Sequence, residues 1–581
     1  MKRFLSIILS ISIVFCVFSS CNTEEATQSS SNAENTSSVA EQQKPIIEEI
    51  EVKACLTAES TTVFDITSSE LFAALVGERT PSNAILHLDD ELFVTAKDGL
   101  YVPFAAALAM CQDRVIPIFY VESEKAATAL GETLNEIDFF DCIVMSDKAE
   151  LVKSVRKLVP SISGAIDARS NELDGDLSYL IGLRDEANSN NAKIIFLGSH
   201  ATSEQIVYLQ NRLMTVWVDT KDNSVEAHCN AFNSGANGTV SESSESMFET
   251  IDLFEKDTLF RDINIVGHRG QPATNADNSL SGAKAAVDSG ANAVECDIYL
   301  TADMEFVIMH SDDIGYYTEG KGKVSELRTF QVQYFPLKGT NGEHIPKLEE
   351  FFEEFRGVDM MHTIEIKTTH PDTVYLLRDL IAKCGVAHQV NIISFNFEQL
   401  KLAREIIPNV SCGYLGSING IYSDIAKKDN PYNISYHPAS SNMNASNAYE
   451  LNNRGISVNP WNYSSKETLY DVILNGYSSY TTDGALWAKD FVTKIVPFED
   501  YSVAAGVEAE FKATAITKSG EKEVYCEPIV INGDFSFTKS EKGYIPSASG
   551  DVTVMLKFAD QIGEKTVYRY SESVKLTENK K

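Results

Sequence analysis

An α/β protein followed by a short all-β segment is predicted by three observations. Short apolar runs alternate with amphipathic stretches across residues 54–250, and they do so again across 262–495. After residue 496 this gives way to brief alternating runs punctuated by Gly and polar residues. Strand and helix signals in alternation imply βαβ units around a parallel sheet. At 581 residues the chain exceeds what one core can organise, since single domains seldom pass about 250 residues.

Taken in order, the chain opens with Lys2 and Arg3, an almost purely apolar stretch from Phe4 to Phe18, then Ser19, Ser20 and Cys21. Residues 1–21 thus have the form of a secretory signal. Small residues before a cysteine resemble the lipobox of bacterial lipoproteins, which implies lipidation of Cys21 and a place on the outer face of the membrane. Phe18 stands where Leu is usual, so ordinary cleavage or an uncleaved anchor are the alternatives. Residues 22–53 are dominated by Ser, Thr, Asn, Gln and Glu, a composition suited to a disordered tether.

In the first alternating region the expected strands are 84–88, 115–121, 142–145, 164–167, 193–197, 215–218 and 238–240. In the second they are 263–266, 293–297, 306–309, 363–366, 390–393, 412–415, 456–459 and 479–481. About eight strands in such a length predict a TIM (β/α)8 barrel. The two regions resemble each other: residues 150–166 read against 398–414 with Arg156 over Arg404 and Pro160 over Pro408. This suggests a duplicated barrel whose first copy is degenerate and non-catalytic. Runs at 508–517, 522–531, 552–558 and 566–570 predict a small β-sandwich, immunoglobulin-like, over 496–581.

The 83 acidic and 49 basic residues give a formal charge of -34. That argues against nucleic acid as a partner, because phosphate backbones attract basic faces. Eight cysteines beyond the signal, Cys55 to Cys526, are scattered without zinc or redox spacing, and are expected mostly as small buried hydrophobes.

The chemistry concentrates in the second region. His268-Arg269-Gly270 follows a strand directly, at the end of the barrel where active sites lie. Glu295 and Asp297 are two apart on the next strand, so they share a face. His310 ends the run 307–310, and Glu365 and Lys367 share a face of the run 363–367. Inward carboxylates are costly unless neutralised, and oxygen donors of this kind suit a hard cation, Ca²⁺ or Mg²⁺. Histidines with Arg and Lys suit acid–base work on an anionic phosphoryl group.

These motifs, GHRG (267–270), DNS (277–279), VECDIYLTAD (294–303), VIMH (307–310), GKVSEL (322–327), IPKLEEFF (345–352), IEIK (364–367) and YTTD (480–483), stand in the order of the glycerophosphodiester phosphodiesterase family. The resemblance spans nearly all of 262–490. It implies that His268 and His310 are the acid–base pair, and that Glu295, Asp297 and Glu365 hold one divalent cation. Arg269 and Lys367 would contact phosphate, with Trp461 beside the substrate. It also implies products of glycerol-3-phosphate and an alcohol, from a small or polymeric glycerophosphodiester.

Departures from the family pattern are Ala276-Asp277-Asn278-Ser279 for Pro-Glu-Asn-Thr, His310-Ser311 for His-Asp, and 315–318 for Asp-Arg-Thr-Thr. They bear on the substrate more than on the reaction. The rival readings are a catalytically inactive surface binding protein on the same scaffold and a barrel enzyme of the phospholipase D type. In the first region only His87, with Asp89 and Asp90, is suggestive, and a structural histidine is expected there. Oligomeric state leaves no signal in the sequence.

Overall fold

The computed structural model describes residues 60–173, 177–416, 422–498, 501–533, 535–548 and 550–578. The signal, Cys21, Cys55 and the tether lie outside the described residues.

Eight parallel strands of the second region close into a barrel. Ile265–Gly267 pairs with Ala293–Leu300, which pairs in turn with Met361–Ile366, Val390–Ser394, Ser411–Tyr414 and Ile434–Tyr436 in succession. The seventh position is an extended segment at 456–463, joined by bridges Tyr436–Val458, Ala439–Trp461 and Tyr463–Thr482. Tyr480–Thr482 then pairs back onto Ile265–Gly267. Parallel strands covered by helices are buried on both faces. Ile364, Ile392 and Cys412 accordingly pack outward against Leu377, Leu400 and Ala403.

The expected strand at 306–309 is not one of the eight. Phe306–Ile308 runs antiparallel to Ala293–Leu300 as a hairpin arm. Its apolar character comes from a satellite core, where Val307 and Met309 pack with Ile314, Val324, Val332 and Ile345. The sixth barrel strand is instead Ile434–Tyr436, which was not expected. Only three residues long, it lies between the left-handed Asn433 and the irregular His437-Pro438 pair, too short to show a period.

The first region also closes. Thr61–Asp65 pairs in parallel with both Asn83–Leu88 and Gly238–Ser241. Between them lie Ile116–Val121, Ile143–Ser146, Ser163–Ala168, Ile194–Leu197 and Thr215–Asp219. Thr61–Asp65 was not among the expected strands; five residues long and closed by Asp65, it has only Val63 and Phe64 as large apolar residues. As in the second barrel, the second strand carries an antiparallel arm, here Phe93–Thr95 with Tyr101–Pro103.

The two barrels meet base to base. Side chains and loops at the strands' N-terminal ends join across the contact. Asn83 Nδ2 donates to Asn453 O at 2.9 Å, Thr215 Oγ1 to Gly455 O at 3.0 Å, and Asn391 Nδ2 to Asn211 O at 3.0 Å. Arg156 and Arg404, aligned in the sequence, do matching work. Each bonds the carbonyl of its own following Pro160 or Pro408 and reaches a carbonyl of the other barrel, Asn430 or Asn188. The C-terminal mouths therefore point away from each other.

Beyond residue 491 the chain forms a three-stranded and a five-stranded sheet with a small two-stranded ribbon. Phe511, Ala513 and Val524 of one sheet region share a core with Val503, Val554 and Leu576 of the other. The seven described cysteines are all free and buried. Among the described residues no helix is long and apolar enough to cross a membrane.

One fully buried ionisable group lies on the third barrel strand, Met361–Ile366. His362 is fully buried against Phe351 and Phe352, with ring centroids 5.1 and 5.0 Å away and neither ring nitrogen hydrogen-bonded. Burial, joined by the charge of His388, pulls its pKa down to about 3. The unfolded chain takes up this proton near pH 6.5 and the folded one does not, so stability is lost as pH falls from about 6.5 toward about 3. His362→Phe should move the midpoint of acid unfolding to lower pH, as followed by circular dichroism. An unchanged midpoint would contradict this.

Candidate active site

Strand register alone assembles the carboxylates. Val266, Ala293 and Met361 form a cluster inside the barrel. Because side chains alternate along a strand, Glu295 and Asp297 point the same way as Ala293, and Thr363, Glu365 and Lys367 the same way as Met361. Pairing sets Ala293 beside Met361, Glu295 beside Thr363, and Asp297 beside Glu365. Asp297 and Glu365 are thus lateral neighbours, with Glu295 one pleat deeper. One oxygen from each of the three lies within 4.8 Å of the others, and all three residues are buried.

Such a cluster is electrostatically unfavourable by itself. Burial and the charges of Asp297 and Glu365 push the Glu295 carboxyl well above its usual range. Burial and Asp297 carry Glu365 up to about 8, against the pull of Lys367. Asp297 goes the other way. Burial raises it, but Lys367, Arg269 and the Asn278 amide together outweigh that and hold it low. Lys367 Nζ lies 3.2 Å from Asp297 and 2.6 Å from Glu365, while Arg269 Nε lies 3.4 Å from Asp297. Glu295 Oε1 is buried with no hydrogen-bond partner, an acceptor of the kind that a cation satisfies.

Arg269 serves twice because of its backbone. At φ +52° its amide donates to Glu295 Oε2 at 2.8 Å, and its guanidinium reaches Asp297 and Asp277. Gly270 follows at φ +90°, packed so tightly that a Cβ there would sit 2.6 Å from the Gly282 carbonyl carbon. Behind it, Ser279 Oγ caps the helix Leu280–Asp288 by accepting from Gly282 N at 2.9 Å.

The two histidines have different surroundings. His268 Nδ1 lies 2.6 Å from Asp483 Oδ1, and Asn462 Nδ2 donates to the same oxygen at 3.0 Å. Burial raises Asp483, but the His268 hydrogen bond and charge overcome this and keep it an acceptor. The proton therefore sits on Nδ1, leaving Nε2 as the reactive nitrogen. His310 has no such carboxylate partner. Burial, reinforced by Arg269 and Lys367 and opposed by Asp297, lowers its pKa, so it stays neutral near pH 7.

All eight site residues read from the sequence belong to this end of the barrel. Trp461 lies on its rim, donating Nε1–H to His437 O at 3.0 Å with its ring edge-on to Phe395. Four contributors were not assigned roles by the sequence. Asn278 donates to Asp297 Oδ2 at 2.9 Å and accepts from its backbone amide, and Asp483 orients His268. Both stood within quoted motifs. Tyr317, whose hydroxyl donates to Asp277 at 3.1 Å, stood in the departing segment 315–318, while Asn462 had no local signal.

The first barrel offers no counterpart. Aligning the first-to-second strand pairs Val63–Asn83 and Val266–Ala293 places Ile85, His87 and Tyr120 where Glu295, Asp297 and Glu365 stand. His87 is tied to Asp65 at 2.6 Å, and Asp65 to Arg169 at 2.7 Å. Asp89 serves a turn, accepting from Phe93 N, and Asp90 accepts from Ser123 Oγ.

Gly270→Ala should be expensive, because it meets both an unfavourable φ and a clash with the next helix. We expect a loss of about 1–3 kcal/mol in denaturant unfolding, with reduced turnover from displacement of the Arg269 amide. Unchanged stability would refute the strained-turn description.

A model of the glycerophosphoryl diester phosphodiesterase family matches residues 268–484. The glycerophosphodiester phosphodiesterase of Caldanaerobacter subterraneus subsp. tengcongensis is 25% identical over 228 residues, covering 38% of this chain and 93% of its own length. One from Bacillus subtilis is 22% identical over 244 residues, covering 38% and 82%. Among solved structures, an Oleispira antarctica phosphodiesterase in complex with the product sn-glycerol-3-phosphate is 20% identical, with a TM-score of 0.36, covering 39% of this chain and 94% of that one. The region 268–484 is a domain of the glycerophosphoryl diester phosphodiesterase family, and the chain that carries it is an enzyme of that class.

Proposed function

We propose that the chain hydrolyses glycerophosphodiesters to glycerol-3-phosphate and an alcohol, using one divalent cation, at the outer face of a bacterial membrane. The observation that carries the metal reading is the buried carboxylate triad with the unpartnered Glu295 Oε1. Glu295, Asp297 and Glu365 would hold the cation, and their all-oxygen donor set fits Ca²⁺ or Mg²⁺. Bound there, it would supply charge neutralisation for the phosphoryl oxygens.

The chain's own groups do the rest. Arg269 and Lys367 stand over the carboxylates and face the incoming phosphate. Neutral His310 takes the proton of the attacking hydroxyl, whether that belongs to water or to the substrate's own glycerol. His268 gives its Nε2 proton to the alkoxide as the phosphorus–oxygen bond breaks. Asp483 holds the His268 ring through Nδ1 and so aims Nε2 at the leaving oxygen. The inactive binding-protein alternative is disfavoured by the complete set of eight residues at one barrel mouth.

The first barrel is proposed as a degenerate, non-catalytic repeat, supported by the matching closure, the matching antiparallel arm and the loss of all three carboxylates. The C-terminal sheets are proposed as an immunoglobulin-like sandwich. Membrane attachment through lipid on Cys21 rests on the sequence signal.

Glycerol-3-phosphate release from glycerophosphocholine should be lost with EDTA and restored by Ca²⁺ or Mg²⁺. It should fall at least about a hundredfold in His268→Ala and in Glu295→Gln. Turnover that persists in EDTA would remove the metal from the account. In Asp483→Asn, kcat should fall at least about tenfold with the fold intact, because His268 loses the partner that fixes its tautomer and ring orientation. Unchanged turnover would remove Asp483 from the orienting role.

A further inference from the structure

The joined bases of the two barrels bury basic side chains that the acidic remainder of the chain does not neutralise. A cavity of about 20 Å³ lies there, lined by Arg156, Ser163 and Lys193 of the first barrel and by Asn433, Ser435 and Ser457 of the second. We propose that this cavity binds one small monovalent anion of the halide class, with chloride as the physiological case, and that the anion bridges the two barrels. The site is independent of the reaction proposed above.

The first support is uncompensated charge. The chain as a whole carries a formal charge of -34. Among the described residues, however, Arg156, Lys193 and Arg404 form no ion pair. Of the basic groups around them, Arg184 has a carboxylate, Asp185 at 2.7 Å. Asp429, next to the lining residue Asn430, does not make up the balance, because burial pushes it up to about 8 and leaves it neutral near pH 7. Burial and the charge of Arg404 pull Lys193 down to about 7 and Arg156 down to about 9. Such shifts are those of cations held away from water without a counter-charge. Buried charge is costly unless paired, and a bound anion supplies the partner.

Unspent donors are the second support. Lys193 Nζ can donate three hydrogens and has, among the described residues, one acceptor, Asn188 Oδ1 at 3.3 Å. Ser435 Oγ and Arg156 Nε are buried without a hydrogen-bond partner, in residues that are each 3% exposed. Nearby carbonyls are already engaged, since Arg156 bonds those of Asn191, Pro160 and Asn430. A buried water needs two to four polar partners, some of them to accept its own hydrogens. An anion needs donors only, and donors are what this lining has in excess.

Size and enclosure are the third support. Every lining residue except Lys193 is buried. A cavity of this volume admits a particle about the size of one water molecule and excludes the tetrahedral oxyanions. Its wall has little room to retreat, because a Cβ on the lining residue Gly164 would sit 2.8 Å from Asn191 O. Ser435 lies on Ile434–Tyr436, the short sixth strand of the catalytic barrel. An anion held between Lys193 and Ser435 therefore ties that strand to the first barrel.

The test uses the full chain, with sodium chloride, bromide and gluconate as probes at one fixed ionic strength. Replacing gluconate, too large for the cavity, by either halide should raise the temperature of thermal unfolding saturably, by about 2 °C or more. Lys193→Gln should abolish the rise, and Ser435→Ala should increase the half-saturating halide concentration about fivefold. Wild-type crystals grown in bromide should show one anomalous peak between Lys193 and Ser435, a measurement that stands even where a variant fails to fold. No peak at that position, or a halide response unchanged in Lys193→Gln, would overturn the proposal and leave the cavity to water. A peak without any thermal response would show binding at crystal concentration only, and would overturn it equally.

Discussion

Three carboxylates in one barrel mouth are the constraint on which this molecule depends. Pairing of the second and third strands makes Asp297 and Glu365 neighbours and sets Glu295 one pleat below. No local rearrangement separates them without slipping a strand by two residues and moving the whole apolar face of Ile364 and Cys296 with it. Their repulsion is met from three sides. Lys367 rises from the same strand as Glu365, Arg269 reaches down from the left-handed turn after the first strand, and Asn278 grips both the side chain and the amide of Asp297. These same cations would face a phosphate held at this mouth. A phosphodiester, a monoanion, would enter a site whose acids and bases are already balanced against one another.

The first barrel makes sense against this background. At its mouth Asp65, Asp167 and Arg169 form ion pairs, and His87 bonds Asp65. Its base, by contrast, is put to use. The base of the catalytic barrel is braced from below by Asn83, Asn188, Arg156 and Thr215, which donate to loop carbonyls that would otherwise need solvent. Buried backbone groups need partners, and here each barrel supplies them to the other. The result leaves the catalytic mouth facing away from its companion.

Much of this was legible in the sequence because the informative residues are local. GHRG, the Glu-x-Asp strand and the Glu-x-Lys strand each carry their side chains' direction in their spacing, and all eight assigned residues fall at one rim. What escaped is what depends on long-range closure. Ile434–Tyr436 is only three residues long, so neither period nor length announced it. Phe306–Ile308 looked like a barrel strand because burial under the 310–347 insertion gives it the same apolar character. The partnership of Asn462 with His268 and Asp483 spans 194 and 21 residues of sequence, and an Asn beside a Trp gives no hint of it. The base-to-base contact was invisible for the same reason, although the register of Arg156 with Arg404 anticipated their equivalent roles.

The central claim is that Glu295, Asp297 and Glu365 form a cation site rather than a self-compensated polar network. Calorimetric titration of Ca²⁺ and of Mg²⁺ into the chelator-treated full chain, at pH 6 and pH 9, tests it most directly, with Glu295→Gln as control. Because Glu365 holds its proton up to about pH 8, and a protonated carboxyl cannot serve as a ligand, the account predicts one site. That site should bind more weakly at pH 6 than at pH 9 and be lost in Glu295→Gln. Absence of binding at both pH values, or binding indifferent to pH and to Glu295→Gln, would contradict it.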